Sequence, residues 1–282
     1  MNKNVETFIA CESEYEEASI VLFGAPFDGT TSFRPGARFG SKAIRNESFG
    51  IETYSPYQDK DLEDLKIFDR GDLDLCFGNT ARVLQDIEDC TDKVLEDNKI
   101  PVMIGGEHLV TLGMVRAFAK KYKDLHVVHF DAHTDLRDDY LGEKLSHATV
   151  MRRVLEIIGD KKLYQYGIRS GEKAEFKFAE EHSNLTKFDF SGLEEDLKRL
   201  EGKPVYFTID LDVLDPSEFP GTGTPEAGGV SFKELLKAIL AVGKLNIVGF
   251  DIVELSPHYD SSGRSTAIAC KILREMILAC SK

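Results

Sequence analysis

Three short segments carry the residues whose types and spacing could do chemistry. Asp131-Ala132-His133-Thr134-Asp135 sets three potential ligands at a spacing of two, and in an extended chain alternate side chains point to one face. Asp210-Leu211-Asp212 adds two carboxylates at the same spacing. Gly105-Gly106-Glu107-His108 adds an imidazole after two glycines that allow a tight turn. Brought together, Asp131, Asp135, Asp210 and Asp212 would repel one another and shift upward in pKa. Buried charges must be paired or must coordinate metal, and two divalent cations would balance four carboxylates charge for charge. The set His108, Asp131, His133, Asp135, Asp210 and Asp212 is the right size for two ions with shared ligands. A lone Asp-Leu-Asp after a strand is more often a turn device; the specificity lies in the combination. Many carboxylates, two imidazoles and no thiolate suit a harder ion than structural zinc. The expected ion is Mn²⁺, two per subunit, with Co²⁺, Ni²⁺ or Zn²⁺ as surrogates. Calcium would not use two histidines.

Something must position these groups, and the pattern of apolar runs names it. Strands are expected at Ser19–Pro26, Lys66–Asp69, Pro101–Ile104, Leu125–Asp131, Lys162–Gly167, Thr186–Phe188, Val205–Asp210 and Asn246–Val253. Most are short, continuous and apolar, as strands buried on both faces should be. Helices fall between them: Val83, Leu84, Ile87, Val94 and Leu95 recur at helical spacing within Asn79–Asn98, as do Phe232, Leu235, Leu236, Ile239 and Leu240. Ser231 with Glu234, and Ser191 with Glu194, read as capping boxes. Ala267–Leu278 reads as the last helix. The alternation implies an α/β fold, a three-layer α/β/α arrangement around a mostly parallel central sheet. Ligands in such folds sit beyond the carboxyl ends of the strands, which is where the three segments fall.

Composition narrows the function classes. The 282 residues carry a formal net charge of -14, the opposite of the basic footprint that nucleic-acid binding needs. An acidic surface instead suits a small cationic substrate. Five scattered cysteines with no Cys-x-x-Cys spacing indicate neither a disulfide framework nor a thiolate zinc site, and a reducing cytoplasm follows. The stretch Met1 to Glu17 is polar and lacks the apolar run of a signal peptide. No apolar run approaches the roughly 20 residues that span a bilayer. Length alone allows one large domain or two small ones; the expectation is one catalytic domain over residues 1–282, and no nucleotide-binding glycine loop follows any strand.

Gly-Gly-Glu-His108, Phe-Asp131-Ala-His133-Thr-Asp135 and Thr-Ile-Asp210-Leu-Asp212-Val-Leu-Asp-Pro216 resemble the three signatures of the ureohydrolase (arginase/agmatinase) family. Gly24-Ala-Pro-Phe-Asp28 with Arg34-Pro-Gly-Ala-Arg-Phe-Gly40, Pro220-Gly-Thr-Gly-Thr-Pro225-Glu-Ala-Gly-Gly229 and Asp251-Ile-Val-Glu254-Leu-Ser-Pro257 resemble its other motifs, so the likeness runs from about residue 19 to the end. The resemblance implies an arginase-like fold and a binuclear manganese site. His108 would bind one ion and His133 the other, with Asp131 and Asp210 bridging. It also implies a homo-oligomer, a trimer or hexamer. The segment from Leu136 to Ser146-His147-Ala-Thr lacks the Asn-rich stretch of arginases and resembles bacterial agmatinases. The implied activity is hydrolysis of agmatine to putrescine and urea by a hydroxide activated between two manganese ions.

On that reading Asp135 would steer the nucleophile and help pass its proton to the leaving amine. Glu254 would hold the guanidinium through paired charge-assisted hydrogen bonds. His147 would shuttle protons, because imidazole titrates near working pH. His129 reads as a hydrogen-bonded core histidine, and His126, His182 and His258 have no supporting cluster. Asp28, Asp138, Asp139 and Glu143 are open as receivers of the far amine. The competing readings are a sibling ureohydrolase acting on arginine, guanidinobutyrate, formiminoglutamate or aminopropylagmatine, a zinc deacylase on the related fold, and a non-catalytic metal-binding homologue.

Overall fold

Each expected apolar run forms a strand, and parallel pairing sets their order in space. The computed structural model describes residues 6–281; the first five residues of the polar stretch Met1 to Glu17 lie outside them. In chain order the described strands are β1 Ile20–Gly24, β2 Tyr54–Ser55, β3 Lys60–Asp61, β4 Ile67–Asp72, β5 Ile100–Ile104, β6 His126–Phe130, β7 Leu163–Ile168, β8 Asn184–Lys187, β9 Pro204–Asp210 and β10 Asn246–Val253. The helices are α1 Gly40–Ser48, α2 Thr80–Glu96, α3 Thr111–Lys121, α4 Val150–Ile158, α5 Lys173–His182, α6 Leu193–Leu200, α7 Phe232–Val242 and α8 Arg264–Cys280. Eight strands make one sheet in the order β4-β1-β5-β10-β9-β6-β7-β8, with every pair parallel. Only the small hairpin β2–β3 is antiparallel among the described strands, and it stands apart from the sheet.

Alternation along the strands divides the core in two. Val102, Ile104, Val128, Phe130, Phe207, Ile209, Phe250 and Ile252 pack with Leu235 and Ile239 of α7 and Leu273 and Met276 of α8. Met103, Val127, Tyr206 and Val248 pack with Val83 and Ile87 of α2, Val115 and Phe118 of α3 and Val154 of α4. A sheet with apolar side chains on both faces needs helices on both faces, so the three-layer α/β/α architecture follows. No helix among the described residues is long and apolar enough to cross a membrane.

Several local devices differ from the sequence expectation. Ser231 and Glu234 form the capping box of α7, but Ser191 and Glu194 do not cap α6. Asp189 accepts from the Ser191 N–H at 2.8 Å, and the cap position passes to Gly192 in the left-handed region at φ 82°. The last helix begins at Arg264 rather than Ala267, because Asp260 accepts from the Ser265 N–H at 2.7 Å and organises the first turn earlier.

The two glycines after β5 also work differently from a left-handed turn, since neither has positive φ. They permit close approach. A Cβ on Gly106 would overlap the backbone of Phe27, and one on Gly105 would lie 2.5 Å from Val253 Cγ1. The contact is locked by the Glu107 N–H donating to Phe27 O and the Glu254 N–H donating to Gly106 O, both at 2.8 Å. Gly106→Ala should therefore lower stability by about 1–3 kcal/mol, the usual cost of overpacking. Urea unfolding would read this as a lower midpoint at constant slope; an unchanged midpoint would contradict the packing described.

Candidate metal centre

β5, β10, β9 and β6 are consecutive in the sheet, and each delivers chemistry at its carboxyl end. His108 opens a short 3₁₀ turn after β5, Asp131 to Asp135 follow β6, Asp210 ends β9 with Asp212 in the next turn, and Glu254 follows β10. The structure brings all six sequence-predicted ligand candidates together, and Glu254 and His147 line the same cavity of about 290 Å³ as His108, His133, Asp135 and Asp210.

The chain does not reach this geometry by remaining extended. Asp135 adopts φ 53° and Glu254 φ 68°, a left-handed conformation that costs a non-glycine residue about 1–3 kcal/mol and clusters at functional sites. Hydrogen bonds hold both turns. The carbonyl of Asp135 accepts from the Met151 and Arg152 N–H groups at the start of α4, at 3.0 and 3.2 Å. The Glu254 Oε1 atom accepts from the His108 N–H at 2.8 Å.

His108 Nδ1 supplies the test of fit to a cation. It is buried without a hydrogen-bond partner, yet it lies 3.1 Å from Asp131 Oδ2, 3.3 Å from Asp135 Oδ2 and 3.4 Å from Asp210 Oδ2. The opposite ring nitrogen, Nε2, donates to Thr208 Oγ1 at 3.0 Å, and Thr208 donates to Asp251 at 2.6 Å. That relay leaves Nδ1 as the nitrogen that faces three carboxylates, an arrangement relieved by a proton in the metal-free chain or by a metal ion between them.

A second cluster repeats the pattern. His133 Nδ1 lies 3.0 Å from Asp212 Oδ2 and 3.5 Å from Asp131 Oδ1. Asp131 thus presents one oxygen to each histidine. Two groups that could hold a metal ion, His108 with His129 and Asp131, and Asp131 with His133 and Asp212, share this residue. His129 has both nitrogens committed, however: Nε2 faces Asp131 Oδ2 at 2.7 Å and Nδ1 accepts from Gln165 at 3.1 Å. It is buried and hydrogen-bonded through both nitrogens, as the sequence suggested for a core histidine, and it orients Asp131.

Electrostatics register the crowding. Burial, and then the charge of Asp131, push Asp135 up to about 7. Burial and neighbouring carboxylates also raise Asp210 and Glu254. Burial alone would raise Asp131, but His129, His108 and His133 hold it well below its ordinary value. Burial would lower His108 and His133, and their carboxylate partners raise both instead. His147 goes the other way. Burial, joined by the charges of His133 and His108, pushes it down to about 4, so its imidazole is neutral at pH 7 rather than near its midpoint.

The open acidic residues make other contacts. Asp28 is buried and bound by the Gly36 N–H at 2.8 Å and by Arg38. Asp138 pairs with Arg153 at 2.9 Å, and Asp139 accepts from the Gly142 N–H at 3.1 Å. None of these, nor Glu143, lines the cavity; its outer carboxylates are Glu172 and Glu175. Sequence reading passed over this pair, although their spacing is that of a capping box, which they form at α5. It also passed over Glu107, fully buried, which accepts from Thr30 and Thr31. Thr30 in turn accepts from the His147 N–H at 3.1 Å.

Comparison with known proteins agrees with this geometry. The family model described as "Arginase family" matches residues 18–279. An agmatinase of Bacillus anthracis is 51% identical over 277 residues, covering 97% of this chain and 96% of its own. A solved Clostridium difficile structure superposes with a TM-score of 0.93 at 54% identity, covering 95% of this chain and 99% of that one. The agmatine ureohydrolase of Thermoplasma volcanium superposes with a TM-score of 0.88 at 35% identity, over 98% of this chain and 94% of that one.

The raised groups fix the sign of a pH effect. Above pH 6.5 the metal-free fold keeps protons on His108 and His133, and on Asp135 up to about pH 7, that the unfolded chain has released. The folded state then binds more protons, so stability falls as pH rises, by about 1.4 kcal/mol per pH unit for each proton retained. His147, held low, acts in the opposite sense only below pH 6.5, where the unfolded imidazole is charged. Urea midpoints in chelator should decline from pH 6.5 to 8.5, and saturating divalent metal should flatten the decline. Equal slopes with and without metal would contradict the assignment of a cation site.

Proposed function

The chain belongs to the arginase family, and from that premise we propose that it hydrolyses agmatine to putrescine and urea at a site for two manganese ions. The observation that carries this reading is one cavity containing a guanidinium-sized carboxylate, Glu254, beside two histidine–carboxylate clusters that share Asp131. The substrate follows the 51% identity to an agmatinase over nearly the whole chain. A cytoplasmic setting, one catalytic domain and a trimeric or hexameric assembly belong to the same proposal.

His108, Asp131, Asp135 and Asp210 would hold one ion, and His133, Asp131, Asp210 and Asp212 the other. Bound there, the pair would supply positive charge that brings the pKa of water toward neutrality. The remaining work belongs to the chain. Glu254 Oε1 is held by the His108 N–H, which turns the carboxylate so that it can accept two N–H groups of a planar guanidinium. Its buried setting strengthens that pairing. Asp135, at the inner wall, accepts the proton of the attacking water and returns it to the amine nitrogen as the carbon–nitrogen bond breaks. His147 is neutral at pH 7, so its free lone pair serves as a proton acceptor at the cavity mouth. Thr30, Ser32 and Ser146 position the ring: the His147 N–H donates to Thr30, and its Nε2 and Nδ1 lie 3.3 Å from the Ser32 and Ser146 hydroxyls.

Manganese-loaded protein should release urea from agmatine, and chelation should abolish it. Glu254→Gln should lower kcat/KM by about 10- to 100-fold, the worth of a hydrogen bond to a charged group. His147→Asn should lower kcat by about 100-fold, the lower range for a proton-transfer group. Steady-state urea assays check all three; agmatine turnover unaffected by Glu254→Gln would overturn the guanidinium assignment.

A further inference from the structure

The outer wall of the cavity holds a charge arrangement that the proposed reaction does not use. Arg137 is the only lysine or arginine lining the cavity among the described residues. Its Nη1 pairs with Glu172 Oε1 at 2.8 Å and its Nε lies 3.6 Å from Glu175 Oε2. The guanidinium stacks over Tyr140, 4.7 Å from the ring centroid, and Tyr140 meets His147 edge-on at 5.9 Å.

Glu175 is a fixed post. One oxygen accepts from the Thr134 hydroxyl at 2.5 Å and the Leu136 N–H at 3.1 Å, and the other from the Glu172 N–H at 2.7 Å. These bonds tie α5 to the segment carrying His133 and Asp135, so the wall is rigid relative to the metal cluster. Glu172 differs: its side chain is 57% exposed and meets Arg137 at the mouth. With one cation and two carboxylates, the rim keeps a net negative charge.

We propose that the Arg137–Glu172–Glu175 wall selects guanidines by the charge of their far end, accepting a cationic tail and refusing an anionic one. This rests on the reaction proposed above. Arg137 is the group that would bind the carboxylate of a guanidino acid, since its fork matches a carboxylate geometrically. Here Glu172, Glu175 and Tyr140 cover that fork. An anionic tail must displace Glu172 and faces net repulsion, whereas an ammonium tail meets the carboxylate directly. Glu172 is therefore the specificity-determining residue, and Arg137 the latent anion receptor it silences.

The test compares wild type with Glu172→Gln, which keeps a side chain able to cap α5, on agmatine and 4-guanidinobutyrate. Urea release gives kcat/KM for each, and calorimetric titration of chelator-treated protein gives binding without turnover. Glu172→Gln should shift the guanidinobutyrate-to-agmatine ratio by about tenfold toward the acid in both measurements. Adding Arg137→Gln in the same chain should reverse the gain for the acid. An unchanged ratio in folded Glu172→Gln protein, or a gain that survives Arg137→Gln, overturns the proposal. If wild type turns over neither compound, the proposed function fails, while the calorimetric order of the two ligands in the variants still decides the role of the wall.

Discussion

Three carboxylate oxygens approach Nδ1 of His108 to 3.1, 3.3 and 3.4 Å in a site almost without solvent. Unscreened, such a cluster is costly to bury, and the chain can lower the cost only by keeping protons or binding cations. Much of the surrounding structure serves to maintain it. The Thr208–Asp251 relay orients the His108 ring from beneath. Gln165 fixes His129, which aims Asp131. The Ala132 N–H donates to Asp212 at 3.1 Å and the Asp212 N–H to Asp210 at 2.8 Å, so each carboxylate has one oxygen tethered and the other presented.

The sheet explains why these groups meet although their segments are far apart in sequence. β5 and β6 follow one another in the chain but leave room for two strands between them, and β10 and β9 fill it. The four segments that carry His108, Asp131 to Asp135, Asp210 to Asp212 and Glu254 thus become neighbours only when the last strand is in place. Close backbone approach at Gly105 and Gly106 then lets Glu254 reach the His108 N–H. Folding and site assembly are in this sense one event.

The eight strands of the main sheet were legible in the sequence because strands buried on both faces leave continuous apolar runs. The site candidates were legible because the rule that ligands lie beyond strand carboxyl ends needs no tertiary detail. The failures have physical causes. Ser191-x-x-Glu194 has the letters of a capping box, but Asp189 captures the Ser191 N–H first, a competition that spacing does not reveal. An extended reading of Asp131 to Asp135 missed the left-handed turn at Asp135, which depends on donors from α4. The Arg137 wall was invisible because Glu172 and Glu175 stand more than thirty residues downstream and join it only through tertiary contacts. The low position of His147 arises from burial, which its neighbours in sequence do not disclose.

The central claim is that two cations, sharing Asp131, neutralise the buried carboxylates. Equilibrium dialysis against Mn²⁺, followed by metal analysis of the retained protein, measures this directly. The account predicts two ions per chain, with both lost or greatly weakened in Asp131→Asn. A single ion per chain, or two that survive that substitution, would contradict it.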